Sequence, residues 1–154
     1  MQGIVSKHTT VLAACAVCLC FGIGAGKQVT KPYKITGDVV GEILSVSPDY
    51  TITFKAINIG EATHSGRYYN ELTGRLSLVT HQGTSEGLFV CADGSKITWT
   101  ATINGTILTV TATGGTKRFQ GGTGGFVAEM EDIVVDLKNK VLSYTFKGIG
   151  EVTY

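Results

Sequence analysis

The sequence predicts an all-β fold, most simply a single closed antiparallel barrel of about eight strands. Apolar and polar residues alternate with a period of two along nearly the whole chain after residue 26, and no stretch has a convincing helical period. The 154 residues include 21 glycines, only 2 prolines and many threonines, a composition typical of turn-rich β-structure. One sheet of eight strands has exposed edges unless it closes on itself, which favours a barrel; a two-sheet β-sandwich is the alternative.

Composition and charge exclude several classes of protein. The length suits one domain, and 43% hydrophobic against 16% charged residues is not the composition of a disordered chain. Lys and Arg number 13 and Asp and Glu 12, for a formal charge of +1. This balance argues against nucleic acid as a partner, since such domains usually carry a large cationic excess.

The N-terminal segment 1–26 has the features of a signal peptide. Lys7 precedes residues 11–26, which carry no charge and end in small residues. That stretch is shorter than the roughly 20 residues that span a bilayer, although an uncleaved anchor is one alternative. A second alternative is lipid attachment at Cys15, because residues 12–15 resemble a lipoprotein cleavage box. We expect 27–154 to be a single barrel domain, secreted or periplasmic, without a stable transmembrane span.

The cysteines do not predict a metal site or an internal disulfide. Three of the four lie within 15–20, inside the predicted signal peptide, and only Cys91 remains in the mature domain. A buried apolar thiol is the expected role of a single cysteine. The alternative, a nucleophilic Cys91 paired with His64 or His81, requires a proximity that the sequence does not establish. We expect no metal and no cofactor.

The first two strands are predicted at 35–46 and 50–59, joined by a turn at Pro48 and Asp49, and Ile52 and Phe54 share one face. Further strands are predicted at 64–80 and 87–91. The clearest pair follows at 97–103 and 108–113, with apolar residues facing inward and threonines outward. Asn104 and Gly105 lie between them, the pairing typical of a type I′ hairpin turn. Strands at 126–135 and 141–149 complete the set.

The segment 113–126 is rich in glycine, which raises the question of a phosphate-binding loop. Such a loop requires a strand followed directly by a helix, whereas the residues after Phe126 continue as strand. The segment is therefore predicted to be a loop leading into a strand that begins with a bulge.

Three segments carry a resemblance to a known superfamily. Residues 115–124 (GTKRFQGGTG) resemble the stretch before a late strand in allene-oxide-cyclase-like and dirigent-like barrels, and residues 60–68 (GEATHSGRY) and 144–148 (YTFKG) resemble exported bacterial proteins of that superfamily. The resemblance implies a closed barrel and an apolar ligand. Allene oxide cyclases cyclise an apolar epoxide and dirigent proteins orient phenoxy radicals, but none of their functional polar residues maps onto this sequence. The catalytic residues are therefore unassigned.

One group of candidate ligand-binding residues is His64, Arg67 and Tyr68. Strict alternation places His64 and Tyr68 on one face of a strand and Arg67 on the other. One of these sets could line the mouth of a barrel and bind a ligand. The competing interpretation is structural, with His64 in a turn and Arg67 paired with a carboxylate.

A second group of candidates is Glu129 and Glu131, which share one face of a late strand beside Asp132. Two carboxylates can divide acid and base roles. The same spacing is ordinary for a solvated surface, and a calcium site built from these carboxylates is a further alternative.

Without a nucleophile–base set, the sequence favours a non-catalytic barrel that binds a small apolar ligand or an envelope partner through its mouth or outer face. The alternative is a cyclase or isomerase acting in an apolar lumen, and a third possibility is an interaction module using the threonine-rich outer faces.

Overall fold

The computed structural model describes residues 28–154, which form a closed antiparallel barrel of eight strands. The predicted all-β barrel is therefore confirmed, and the sandwich alternative is not the observed architecture. The predicted signal peptide and Cys15 lie outside the described residues. The strands are β1 Thr30–Val46, β2 Thr51–Ala62, β3 Gly66–Ser77, β4 Gln82–Cys91, β5 Lys96–Asn104, β6 Ile107–Gly115, β7 Thr123–Asp136 and β8 Val141–Thr153.

Each strand pairs with its neighbours in sequence, and β8 returns to pair with β1, which removes the sheet edges. The β1–β8 ladder runs from Thr30 opposite Thr153 to Glu42 opposite Val141. One end of the barrel carries the turns at 63–65 and 92–95 and a short 3₁₀ helix, η1 (Lys117–Phe119). The other end carries the turns at 47–50, 78–81, 105–106 and 137–140.

Every strand except β3 is longer than predicted, and β1 begins at Thr30 rather than at residue 35. The differences in the third and fourth strands have local reasons. The third strand begins at Gly66 rather than at residue 64, because His64 has a φ of 68° in the turn that precedes it. The fourth strand begins at Gln82 rather than at residue 87. Gly83 and Gly87 interrupt its apolar pattern. A Cβ on Gly83 would lie 2.2 Å from the carbonyl oxygen of Arg75, and one on Gly87 would lie 2.7 Å from the Trp99 ring.

The predicted hairpin between β5 and β6 is confirmed, but its turn is shifted by one residue. Asn104 pairs with Ile107, so the two loop residues are Gly105 and Thr106. Gly105 has a φ of 61°, and Thr106 is not among the residues with positive φ. A type I′ turn needs positive φ at both loop positions, whereas type II′ needs it only at the first, where glycine is preferred. The turn therefore has the φ pattern of type II′.

The glycine-rich segment forms η1 and the start of β7. Phe119 of η1 is buried at the barrel end, and a Cβ on Gly115 would lie 2.6 Å from its carbonyl oxygen. The predicted bulge at the start of β7 is wrong, since the ladder there is regular and the shift falls between Glu131 and Val134. Asp132, with a φ of 51°, lies within that shift.

The barrel lumen is filled by the inward side chains, as alternation within the strands predicts. Phe89 lies near the centre, with ring centroids 5.0 Å from Tyr68, 5.5 Å from Trp99 and 6.4 Å from Phe126 across the lumen. Phe126 in turn stacks on Phe146 at 6.3 Å. These aromatic contacts connect strands on opposite sides of the barrel and form its core.

Candidate functional site

The first group of predicted site residues is dispersed by the fold. His64 lies in the β2–β3 turn, with Nε2 3.2 Å from the carbonyl oxygen of Pro32. Arg67 is exposed on the outside, with Nε 3.4 Å from the Glu61 carboxylate. The predicted alternation fails at His64, because the turn inserts before β3 and buries Ser65 on the same side as Tyr68, but Arg67 and Tyr68 lie on opposite faces as predicted. No common pocket joins the three candidates in the described chain.

Tyr68 is a core residue whose hydroxyl is held within the barrel wall. The hydroxyl donates to the carbonyl oxygen of Thr36 at 2.9 Å. A Cβ on Gly37 or Gly60 would lie 2.4 or 2.5 Å from the hydroxyl oxygen, so these two glycines make room for it. Burial raises the pKa of Tyr68 above its ordinary value. This environment keeps the phenol protonated and suits a structural role.

Glu129 and Glu131 do share one face, and it is the exposed outer face of β7. Glu131 accepts a hydrogen bond from Lys147 at 2.9 Å, which raises the pKa of that lysine. Within residues 28–154, no group of three or more His, Cys, Asp or Glu side chains is arranged to hold a metal ion. Over the same range, no helix is long and apolar enough to cross a membrane.

Cys91 is buried, with 4% of its surface exposed, in agreement with the predicted apolar thiol. It lies at the η1 end of the barrel, where its amide donates to the carbonyl oxygen of Ser95. Nearby, the Tyr33 hydroxyl is 3.0 Å from Ser65 Oγ, and burial raises the pKa of Tyr33 to about 12. Cys91 therefore lies among packed side chains at the end of the barrel.

The lumen contains very little free space. A cavity of about 30 Å³ lies where β6 and β7 diverge beyond the pair Thr111 and Gly125, and its walls include the rings of Phe89, Trp99 and Phe126. A single water molecule needs about 10–15 Å³ of such volume, so this space is far too small for a cyclase substrate or a similar ligand.

Two asparagines add polar groups to the lumen without creating a site. Asn58 and Asn70 face each other across β2 and β3, and Asn70 Oδ1 accepts a hydrogen bond from Trp99 Nε1 at 3.1 Å. Asn58 Oδ1 is buried and has no hydrogen-bond partner among the described residues. It lines neither the small cavity nor any of the larger grooves found among the described residues.

The ligand-sized space lies on the outside of the barrel. A groove of about 810 Å³ crosses the outer face of β1 to β5 and reaches β6, and we call it the outer groove. Its two sides are rows of outward side chains set by the strand register. The first row is Val40, Ile57, Glu71, Leu88 and Thr98, and the second is Glu42, Lys55, Thr73, Glu86 and Thr100.

The floor of the outer groove is thin because the inward positions between the two rows include small residues. The paired inward residues on successive strands, from β1 to β5, are Gly41, Ala56, Leu72, Gly87 and Trp99. Three of these five are glycine or alanine. Beyond the second row, a further groove of about 610 Å³ is lined largely by threonines. The outer groove has more exposed apolar side chains: Val40 is 57% and Ile57 45% exposed, whereas the further groove has Leu44, at 49%.

The charges of the outer groove are unbalanced. Lys55 is the only cation among its lining residues in the described chain, and it is 3.0 Å from the Glu42 carboxylate. Glu71 accepts a hydrogen bond from the Tyr69 hydroxyl at 3.1 Å. Neither Glu71 nor Glu86 forms an ion pair with any residue in 28–154. The groove therefore combines apolar surface with two carboxylates that have no ion-pair partner among the described residues.

Sequence reasoning missed the outer groove, although a signal for it was present. Ile57 and Ile59 alternate with the inward residues of β2, so both faces of that strand carry large apolar side chains. Val40 beside Val39 repeats the pattern on β1. A strand with one solvated face normally carries polar residues on that face, so the exception marks an outer surface able to bind apolar material.

The sequence matches no known protein-family model and no curated protein. Among solved structures, the fold is similar to the pterocarpan synthase dirigent protein GePTS1, with a TM-score of 0.49 and 12% identity over 82% of this chain and 93% of that one. It is also similar to the pterocarpan synthase dirigent protein PsPTS1, with a TM-score of 0.43 and 11% identity over 81% of this chain and 95% of that one. The barrel itself is established by the strand pairing of this chain.

Proposed function

We propose that the protein is a non-catalytic binding protein whose barrel holds a small apolar ligand in the outer groove. The observation that carries the proposal is the location of free space: about 810 Å³ in the groove against about 30 Å³ in the lumen. Ligand sites in proteins typically have volumes of roughly 300–1,000 Å³ and mainly apolar walls. Val40, Ile57 and Leu88 supply those walls, and covering them removes apolar surface from water.

The filled lumen argues against the alternative, a cyclase or isomerase that acts inside the barrel. A reaction inside the barrel needs a cavity that positions the substrate, whereas here Phe89, Trp99 and Phe126 occupy the space. Binding on the outer face requires no displacement of these core side chains.

Export of the chain, with residues 1–26 removed, is part of the same proposal. A secreted or periplasmic barrel would meet its ligand outside the cytoplasm.

The test uses octanol as a neutral apolar probe, titrated below its solubility limit and followed by NMR. We expect saturable binding that Ile57→Asp weakens about tenfold, since a carboxylate in the groove loses hydration when the probe binds. Ile149→Asp is the matched control: Ile149 is 70% exposed on β8 and lies outside the groove. Binding that is equally strong in wild type and Ile57→Asp would contradict the proposed site.

A further inference from the structure

We propose that the ligand of the outer groove is a cationic amphiphile, an organic amine with an alkyl or aromatic body. This inference rests on the proposed function and specifies the chemistry of its ligand. It follows from the placement of Glu71 and Glu86, which line the groove beside apolar side chains. A ligand that is only apolar would cover these carboxylates without providing a counter-ion.

The register places Glu71 between two apolar neighbours. Ile57 is its partner on β2 and Leu88 is its partner on β4, and all three belong to the first row. Glu86 is opposite Thr73, which makes it a diagonal neighbour of Glu71 on the adjacent strand. An apolar body against Ile57 and Leu88 therefore brings an attached ammonium group within reach of both carboxylates.

Two cations are diagonal neighbours of these carboxylates, Lys55 of Glu71 and Arg75 of Glu86, but among residues 28–154 neither forms an ion pair with them. Lys55 lies 3.0 Å from Glu42, so its charge is already matched within the second row. The Tyr69 hydroxyl donates a hydrogen bond to the Glu71 carboxylate, so an aromatic residue borders the same groove. The carboxylate attracts a cation through its charge, and an aromatic ring attracts a cation through its π face. An anionic amphiphile would meet the same carboxylates as a repulsive surface.

The experiment compares three probes with eight-carbon chains, namely octylammonium and octanoate below their micelle concentrations and octanol below its solubility limit. We expect octylammonium to bind about tenfold more tightly than octanol and octanoate to bind most weakly at an ionic strength of about 0.01 M. The preference should shrink at about 1 M salt, where charges are screened over roughly 3 Å. Octanol binding itself should change little with salt.

The double variant Glu71→Gln with Glu86→Gln should bind octylammonium no better than octanol while still binding octanol. The control is Asp132→Asn with Glu151→Gln, which removes the same number of charges from exposed sites outside the groove and should keep the preference. Equal binding of octylammonium and octanol by the wild type would overturn the inference. So would an unchanged preference for octylammonium in the Glu71→Gln, Glu86→Gln variant. Either result would leave the proposed function intact. Failure of all three probes to bind would overturn both.

Discussion

Tyr68 illustrates how a single side chain packs into the barrel wall. Its ring packs edge-on against Phe89 in the lumen, and its hydroxyl occupies a space that Gly37 and Gly60 leave open between β1 and β2. The sequence indicates Tyr68 as a candidate ligand-binding residue, but it does not reveal whether the hydroxyl contacts a ligand or the backbone. That distinction depends on the glycines of two other strand positions, which only the register brings together.

Gly37→Ala tests this packing directly. The added methyl would overlap the Tyr68 hydroxyl and the Asn58 amide, so we expect a loss of about 1–3 kcal/mol in the free energy of unfolding. Tyr68→Phe should cost about 1 kcal/mol through the lost hydrogen bond. Because the overlap with the hydroxyl disappears in the double variant, its loss should be smaller than the sum of the single losses. Additive losses in urea denaturation would contradict the packing described.

The buried tyrosines also predict how stability depends on pH. Burial raises the pKa of Tyr33 and of Tyr144 to about 12 each, from an ordinary value of 10. Above pH 10 the unfolded chain ionises these phenols while the folded chain keeps them protonated, so the folded state binds more protons. Stability from this source is complete below pH 10 and is lost as the pH rises from 10 to 12.

Chemical denaturation between pH 8 and pH 12 measures this effect, each pKa unit corresponding to about 1.4 kcal/mol. We expect Tyr144→Phe, which cannot ionise, to lose less stability than the wild type across the alkaline range. The same alkaline slope in both proteins would show that Tyr144 does not contribute.

At the scale of elements, the β5–β6 hairpin shows what local sequence specifies. The alternation of threonine with apolar residues fixes which face is inward, and Asn104 with Gly105 marks the reversal. The turn type could not be obtained in this way, because the choice between the loop pairs 104–105 and 105–106 depends on the strand register.

Gly105→Ala tests the turn. No atom lies within 4 Å of the Cβ position, so any loss reflects the positive φ of 61° rather than a clash. We expect a decrease of about 1–2 kcal/mol in the free energy of unfolding. Thr106→Ala, at the next loop position, should change stability by less than half a kilocalorie per mole, as about ±0.5 kcal/mol is usual for exposed sites. Thermal denaturation of both variants distinguishes these outcomes.

At the scale of the whole molecule, closure of the barrel follows from sequence features, whereas the location of free space does not. Alternating apolar residues and short connections predict eight antiparallel strands, and the absence of exposed edges requires β8 to meet β1. How full the lumen becomes depends on the volumes of rings contributed by different strands, such as Phe89 and Phe126, which meet across the barrel. No single strand carries that information.

Export is a prediction for the whole chain. We expect the protein recovered from the periplasm or the medium to begin at Lys27, and its intact mass determines this N-terminus. A mass that includes residues 1–26 would contradict cleavage. A lipid-modified N-terminus at Cys15 would instead establish the lipoprotein alternative.

The central claim is that the ligand is held outside a filled barrel, and NMR measurement of intermolecular nuclear Overhauser effects tests it most directly. With methyl-labelled protein and octylammonium, we predict contacts from the probe to the methyl groups of Ile57 and Leu88 in the outer groove. Val110 and Leu108, whose side chains face the lumen, should show none. Contacts confined to the lumen methyl groups would contradict the account, because they would require the core to open around the ligand.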